Sequence, residues 1–466
     1  MQLNKLALRK LGLDFFELYW DKEFFKRLSQ IAFPIALQNF IMSSLNMVGV
    51  IMIGQLGEVS VAAVGLAGQI FFLLTLLLFG INSGAAMFTA QLWGKRDIAN
   101  IRKVLSLSMI ISLAGSVIFL IIAVLFPETA LGIYSKDTAV VALGSSYLRI
   151  YGWSFIFIAI TFSFAFVLRS IGDVKTPLVV SISALGINTL LAYVLIFGKL
   201  GLPALGVTGA ALAALSARVV ECCALLTVTY IRKSPVAVRL RDLNNLTLAF
   251  AGKVIRPIVP VALNELFWSL GITTYSIVYA RIGTDSIAAM NIVGTIDNLA
   301  LVIFIGIANA CAILVGNWIG ANDERQAFRY AARTLGIGIA GAILMGGLIL
   351  IGSEHLLAFY KVSPLVIEHS RKILTILAFF LWLRVTNLIL FVGIFRSGGD
   401  TRFAFFLDAG TIWVVGVPLA LIAAFVLHLP VYWVYLFVMA DEFAKSVAGV
   451  FRFFSKRWIH NLTQSV

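Results

Sequence analysis

The sequence has 466 residues, 61% of them hydrophobic and only 12% charged, with a mean hydropathy of +0.99. A soluble domain carries about a quarter charged residues, so this composition excludes an ordinary soluble fold and makes the bilayer the solvent. The net charge is +14 with a pI near 9.8; the bases fall mostly in loops between apolar segments, so membrane topology accounts for them and no nucleic-acid partner is expected.

Along the chain, residues 1–27 mix Lys5, Arg9, Lys10, Lys22, Lys26 and Arg27 with Leu11, Leu13, Phe15, Phe16, Tyr19 and Trp20. That pattern predicts an amphipathic segment on the cytoplasmic interface, not a cleavable signal peptide. The apolar runs then divide into about twelve spans of the length a bilayer demands. Their expected limits are 28–54, 59–88, 104–126, 144–168, 177–198 and 206–231, then 257–281, 286–318, 331–352, 371–395, 403–427 and 430–453. Short alternating strands are missing, which argues against a β-barrel.

Charge orients the spans. Connections after even-numbered spans hold Lys95, Arg96, Arg102 and Lys103, then Arg169 and Lys175, then Arg325 and Arg329, then Arg396 and Arg402. Connections after odd-numbered spans are poorer in base, apart from the one before span ten, with Lys361, Arg371 and Lys372. The bias predicts both termini in the cytoplasm and a multi-pass protein of the inner (cytoplasmic) membrane. A basic stretch, 232–256, is the one plausible boundary. It separates an N-lobe (28–231) from a C-lobe (257–453), and 454–466 forms a cytoplasmic tail.

The two lobes repeat each other. Pro34 and Pro260, Gly57 and Gly283, Ala62 and Ala288, and Gly94 and Gly320 are each 226 residues apart (260 − 34). Arg169-Ser170-Ile171-Gly172-Asp173 returns, one residue out of step, as Arg396-Ser397-Gly398-Gly399-Asp400. Glycine and aspartate there suit a tight cytoplasmic turn, expected to brace the halves. An even number of spans per half gives both halves the same orientation, so a pseudo-two-fold axis along the membrane normal is expected. The fold class is therefore all-α integral membrane, in two six-helix lobes, and a monomer is expected.

Several chemistries find no support. Cys222, Cys223 and Cys311 all fall inside spans and form no disulfide or metal spacing. The four histidines do not cluster, no Gly-x-x-x-x-Gly-Lys-Ser/Thr loop is present, and no nucleophile–base signature appears. Neither an enzyme nor a bound cofactor is expected.

Charges deep in a bilayer are costly, so each is a functional candidate. These are Arg218 and Glu221 in span six, Glu265 in span seven, Asp297 in span eight, Arg384 in span ten, and Asp441, Glu442 and Lys445 in span twelve. Arg149 and Asp408 lie nearer span ends, where a wet rim could hold them. Glu265 stands out. The first lobe has Asn39 at the equivalent place, Pro260 loosens the helix just before it, and Asn264 adjoins it. Trp268 and Ser269 share its face. A carboxylate beside an aromatic ring suits a cation, and a buried carboxyl also suits a proton. In span eight, Asn291, Thr295 and Asn298 form a polar stripe flanked by Asp297, fit either to wall a wetted cavity or to join helices. Arg384, with Thr386 and Asn387 close by, needs a partner, and Glu265 and Asp297 are the candidates. Arg218 with Glu221, and Glu442 with Lys445, stand three apart and are expected to neutralise each other locally.

The sequence resembles the MATE (multidrug and toxic compound extrusion) family over nearly its whole length, from Leu28 to about Arg457. The resemblance rests on Pro34 with Met52-Ile53-Gly54-Gln55-Leu56-Gly57 and Ala62-Ala63, on Thr89-Ala90-Gln91-Leu92-Trp93-Gly94, on Leu168 to Asp173, and on the second-half echoes. It implies a V-shaped pair of six-helix lobes and antiport of drugs or metabolites against Na⁺ or H⁺. It also implies that Glu265 matches the family's acidic residue of span seven, tied to cation coupling. The chain departs from the family at three places. Gly49 stands where many bacterial members carry a span-one aspartate, Ala192 near a span-five aspartate, and Val385 near a span-ten aspartate. Coupling is therefore expected in the C-lobe.

These readings lead to a secondary active exporter of cationic, amphiphilic small molecules. Glu265, Asp297 and Asn264 are the expected coupling residues for Na⁺ or H⁺, with Glu265 as the Na⁺ ligand. Trp268, Asn291, Asn298, Arg384 and Asn387 are the expected cavity lining. The rival within transport is a flippase of lipid-linked precursors, which would need more deep bases than this chain carries. A membrane enzyme or receptor is the rival of another class.

Overall fold

The computed structural model describes residues 21–239, 242 and 246–464. Most of the expected amphipathic segment, 1–20, lies outside the described residues, as do parts of the 232–256 linker and the last two residues of the tail.

Helices dominate, and no strand occurs among the described residues. Span one is Lys22–Gly54, so it opens several residues earlier than hydropathy suggests. The Asp21 carboxylate explains that start, because it accepts the backbone N–H groups of Glu23 and Phe24 at 3.0 and 3.2 Å. Spans two, three, five and six are Glu58–Gly94, Ile98–Leu125, Lys175–Phe197 and Gly206–Ile231. Span four is a bent pair, Thr138–Tyr151 and Ser154–Ser170, broken by 53°. Spans seven, eight and nine are Leu248–Ile282, Thr284–Gly320 and Glu324–Ala358, and span twelve is Val431–Phe454.

Among the described residues, nine helices have the length and apolarity to cross a membrane, and the bent pair makes ten. Leu248–Ile282 and Val431–Phe454 complete the expected twelve by length. They are less apolar because they carry Glu265 and, in the last helix, Asp441, Glu442 and Lys445.

Spans ten and eleven are not regular α-helices. Pro364–Leu388 widens into a π-helical stretch at Ile389–Phe395. Span eleven runs Thr401–Thr411, widens at Ile412–Gly416, resumes at Val417–Leu421 and widens again at Ile422–Val426. Pro418 follows the first of its wide turns. It has no N–H to give and crowds the carbonyl a turn earlier, which favours a local change of ladder.

Two compact units emerge. One comprises Leu37–Glu265; the other joins the opening of span one, 21–36, to Leu266–Gln464. The division therefore runs through the first and seventh helices and not through 232–256, where the charge pattern suggests it. Both crossing points lie shortly after a proline inside the helix, Pro34 in one and Pro260 in the other.

The internal repeat is visible as packing. In the 37–265 unit, a Cβ built on Gly80 of span two would stand 2.6 Å from the Cα of Ala262 in span seven. In the other unit, a Cβ on Gly306 of span eight would stand 2.7 Å from the Ala32 carbonyl and 3.0 Å from the Ala36 methyl in span one. The repeated turns also correspond. Gly172 and Gly399 both take positive φ, 91° and 80°, which only glycine adopts cheaply. Each turn is tied down within its own unit. Arg169 donates to the Gln38 side chain at 2.8 Å, whereas the Asp400 carboxylate accepts from Arg452 at 2.7 Å. The His460 backbone N–H donates to the Gly398 carbonyl at 2.8 Å, which fastens the chain after span twelve to the second turn.

Candidate functional site

A cavity of about 360 Å³ lies within the unit that contains spans eight to twelve. Four elements give it polar walls. Span seven contributes Trp268, Ile272, Tyr275 and Tyr279, spaced at i, i+4, i+7 and i+11 and therefore on one helical face. Span eight contributes Asn291, Thr295, Asp297 and Asn298. Arg384 comes from span ten, and Tyr435, Asp441, Glu442 and Lys445 come from span twelve.

The charged groups fall into three connected sets. First, Arg384 donates to the Asp297 carboxylate at 2.7 Å, and both side chains are largely buried. Asp297, not Glu265, is thus the partner that this buried arginine takes. Second, Glu442 accepts from the Asn387 amide at 2.6 Å, while the Asn387 carbonyl accepts from the Ser446 hydroxyl at 2.7 Å. The Asn387 amide also donates to the Glu442 backbone carbonyl at 2.8 Å. Third, the Lys445 ammonium lies 3.2 Å from Asp408 and 3.3 Å from Asp441. The Tyr275 hydroxyl donates to Asp441 at 3.3 Å.

The third set overturns the local pairing expected between Glu442 and Lys445. Residues three apart on a helix can meet, but Lys445 reaches Asp441 one turn back and Asp408 across the unit, and Glu442 turns to Asn387. Asp408 is correspondingly not held at a wet rim; its side chain is 15% exposed. The other local pair does form: Arg218 donates to Glu221 at 2.6 Å, and the Ser181 hydroxyl adds a bond at 2.7 Å.

Of the residues singled out in the sequence, Trp268, Asn291, Asp297, Asn298 and Arg384 all line the cavity. Asn387 stands behind the lining and positions Glu442. Asn264 and Glu265 belong to the other unit and are not among the lining residues; Asn264 is buried and Glu265 half-buried. The tyrosines were missed, although the i, i+4, i+7, i+11 spacing that starts at Trp268 carries their signal. Gly416 carries no such signal. A Cβ there would overlap the Tyr275 hydroxyl, so glycine in the wide turn Ile412–Gly416 is what lets Tyr275 reach Asp441.

Chemically, the cavity combines aromatic and aliphatic surface with three carboxylates and two bases. Tyrosine and tryptophan faces attract cations, and the carboxylates outnumber the bases.

Comparison with known proteins agrees with this architecture. Residues 34–194 and 260–422 match the MatE family model, as two copies that begin 226 residues apart (260 − 34). The uncharacterized transporter YisQ of Bacillus subtilis is 25% identical over 447 residues, covering 94% of this chain and 96% of that protein. The probable multidrug resistance protein NorM of Thermotoga maritima is 23% identical over 437 residues, covering 93% of each. Among solved structures, the outward-facing conformation of a multidrug resistance MATE family transporter of the MOP superfamily shares the fold. Its TM-score is 0.84 at 20% identity, over 93% of this chain and 96% of that one. Two matched repeats, spaced as the glycines and prolines are, on an all-helical multi-pass membrane fold, make this chain a member of the MatE family of transporters.

Proposed function

We propose that the chain is a secondary active exporter of cationic, amphiphilic small molecules, working by alternating access as a Na⁺- or H⁺-coupled antiporter. The observation that carries this reading is the cavity within the 266–464 unit, where Trp268, Tyr275, Tyr279 and Tyr435 stand beside Asp297, Asp441 and Glu442. Aromatic faces with surplus carboxylate suit an organic cation with an apolar body. Membership of a family whose relatives include probable multidrug resistance proteins supports the same substrate class.

In this reading Glu265 is the coupling carboxylate beside Asn264, and the Na⁺ ligand if sodium drives the exchange, while Asp297 serves coupling from the cavity wall. Trp268, Asn291 and Asn298 hold the substrate. Arg384 and Asn387 keep Asp297 and Glu442 oriented. Exchange follows if the coupling cation and the substrate favour different conformations, so that binding of one shifts the population away from the state that holds the other. The protein works as a monomer in the inner membrane with both termini in the cytoplasm.

The test uses purified protein in proteoliposomes, with ethidium as the transported probe and an imposed Na⁺ or pH gradient. Glu265→Gln, shown to be folded by its elution profile, is expected to lose gradient-driven transport by about ten-fold or more. Wild-type transport by that variant would remove Glu265 from the mechanism.

A further inference from the structure

The Lys445 ammonium lies between two carboxylates, Asp408 at 3.2 Å and Asp441 at 3.3 Å, and is almost wholly buried. One ammonium neutralises one carboxylate. The next acid, Glu442, is held by the neutral amide of Asn387, and the other base of the cavity wall, Arg384, is engaged by Asp297. With every group ionised, this end of the cavity therefore holds more negative than positive charge, and burial opposes keeping every one of these like charges ionised.

A second feature comes from the backbone. Span eleven widens at Ile412–Gly416, and Gly416 offers no Cβ where one would overlap the Tyr275 hydroxyl. That opening lets Tyr275 meet Asp441 at 3.3 Å. Asp441, Tyr275 and Lys445 all line the cavity, so the network opens onto the space a substrate would occupy.

From this geometry we infer that Asp408, Lys445 and Asp441 form a proton-binding site of the cavity, distinct from Glu265, with Asp441 as the carboxylate that takes the proton. A proton fits where a metal ion does not, because the ammonium already fills the position between the carboxylates. On uptake, a proton from water forms an O–H bond on Asp441, and Lys445 is left to Asp408. On release, that O–H bond breaks, the proton returns to water, and the carboxylate regains its ion pair with Lys445. No electrons move. The groups that face the site are Tyr275 and Tyr279 from span seven, Asp297 from span eight and Arg384 from span ten. Asp408 faces it from span eleven, and Tyr435 and Glu442 from its own helix. A cation in the cavity favours the ionised form of Asp441, so substrate entry expels the proton. Only this use in transport rests on the exporter reading; the binding of the proton does not.

The test is therefore made on the protein alone. Infrared difference spectra of the full chain in detergent are recorded as pH is raised from acid to alkaline. The expected result is the loss of a protonated-carboxyl band in the wild-type protein, retained in Glu265→Gln. Asp441→Asn should lack the band, since the carboxyl is gone. Asp408→Asn should lack it too, because Lys445 then neutralises Asp441 on its own; this variant keeps the test open if Asp441→Asn does not fold. Persistence of the band in both variants, or its loss in Glu265→Gln, would overturn the assignment. So would displacement of the band by Na⁺ at constant pH, which would make the site a metal site. A failure of Glu265→Gln to alter ethidium transport bears on the exporter mechanism and leaves this result unchanged.

Discussion

Gly306 packs against Ala36 so closely that a Cβ on the glycine would come within 3.0 Å of the alanine methyl and 2.7 Å of the Ala32 carbonyl. Gly80 and Ala262 repeat that contact 226 residues away from its copy (306 − 80, with 262 − 36). Without hydrophobic drive between helices in lipid, close backbone approach at small residues is a main source of association. The obstacles here include backbone atoms, which cannot swing aside. Gly306→Val and Gly80→Val are each expected to cost about 1–3 kcal/mol. Thermal unfolding in detergent should show both with a lowered Tm. Gly186→Ala, with no neighbour within 4 Å of the added methyl, serves as the control.

Arg384 and Asp297 make the second prediction. Removing one partner leaves the other as an uncompensated buried charge, at a cost of about 3–5 kcal/mol. Arg384→Gln should therefore destabilise the protein sharply. The double change Arg384→Gln with Asp297→Asn should recover much of that loss, since neither charge remains. A double-mutant cycle on thermal stability reads the coupling, and additive losses would mean that the 2.7 Å contact carries little energy.

The pairing of Arg384 shows how far the sequence could be read. Burial demanded a carboxylate partner, and two were in view, yet choosing Asp297 required knowing which helices adjoin. The polar stripe of span eight was legible because 3.6-residue periodicity puts Asn291, Thr295 and Asn298 on one side, and all three line the cavity. One of the two partners of Lys445 was not legible. Helix spacing allows Glu442 and Asp441, and the lysine takes Asp441, four residues back, together with Asp408, 37 residues away (445 − 408), a contact that depends on where span eleven lies. The wide turns around Pro418 have no periodic signal. Nor does the division of spans one and seven between two units, because hydropathy reports lipid contact and not which neighbour a helix chooses.

Asp21 gives the third prediction. Burial pushes its carboxyl up, but the Phe24 N–H and the Arg333 guanidinium, 2.7 Å away, outweigh that and hold it below the usual carboxylate range. A lowered carboxyl contributes stability that is present above the ordinary carboxylate pKa and disappears as pH falls through the lowered value. The opening of span one should therefore fray in acid. Protection from amide exchange, measured against the intrinsic rate at each pH, is expected to fall at the first turns of Lys22–Gly54 as pH falls. Asp21→Ala should show low protection there at every pH, with a loss of about 1 kcal/mol from the missing cap. Equal acid sensitivity in that variant would assign the effect to another group.

The last prediction concerns Gly416 and separates the wide turn from the charges it serves. A methyl group at this position has no room beside the Tyr275 hydroxyl and would also stand 3.2 Å from an Asp441 oxygen. The tyrosine is a stiff lever: its hydroxyl cannot retreat without the whole ring moving. Gly416→Ala should displace the ring and break its bond to Asp441, at a cost of about 1–3 kcal/mol from overpacking. Tyr275→Phe removes the same bond without the clash and should cost about 1 kcal/mol. If both variants change the response of transport to pH in the same direction, and only Gly416→Ala lowers Tm by several degrees, the hydroxyl contact and the steric effect are resolved. If Tyr275→Phe leaves the pH response at its wild-type form while Gly416→Ala alters it, the glycine acts through the shape of span eleven and not through the bond between Tyr275 and Asp441.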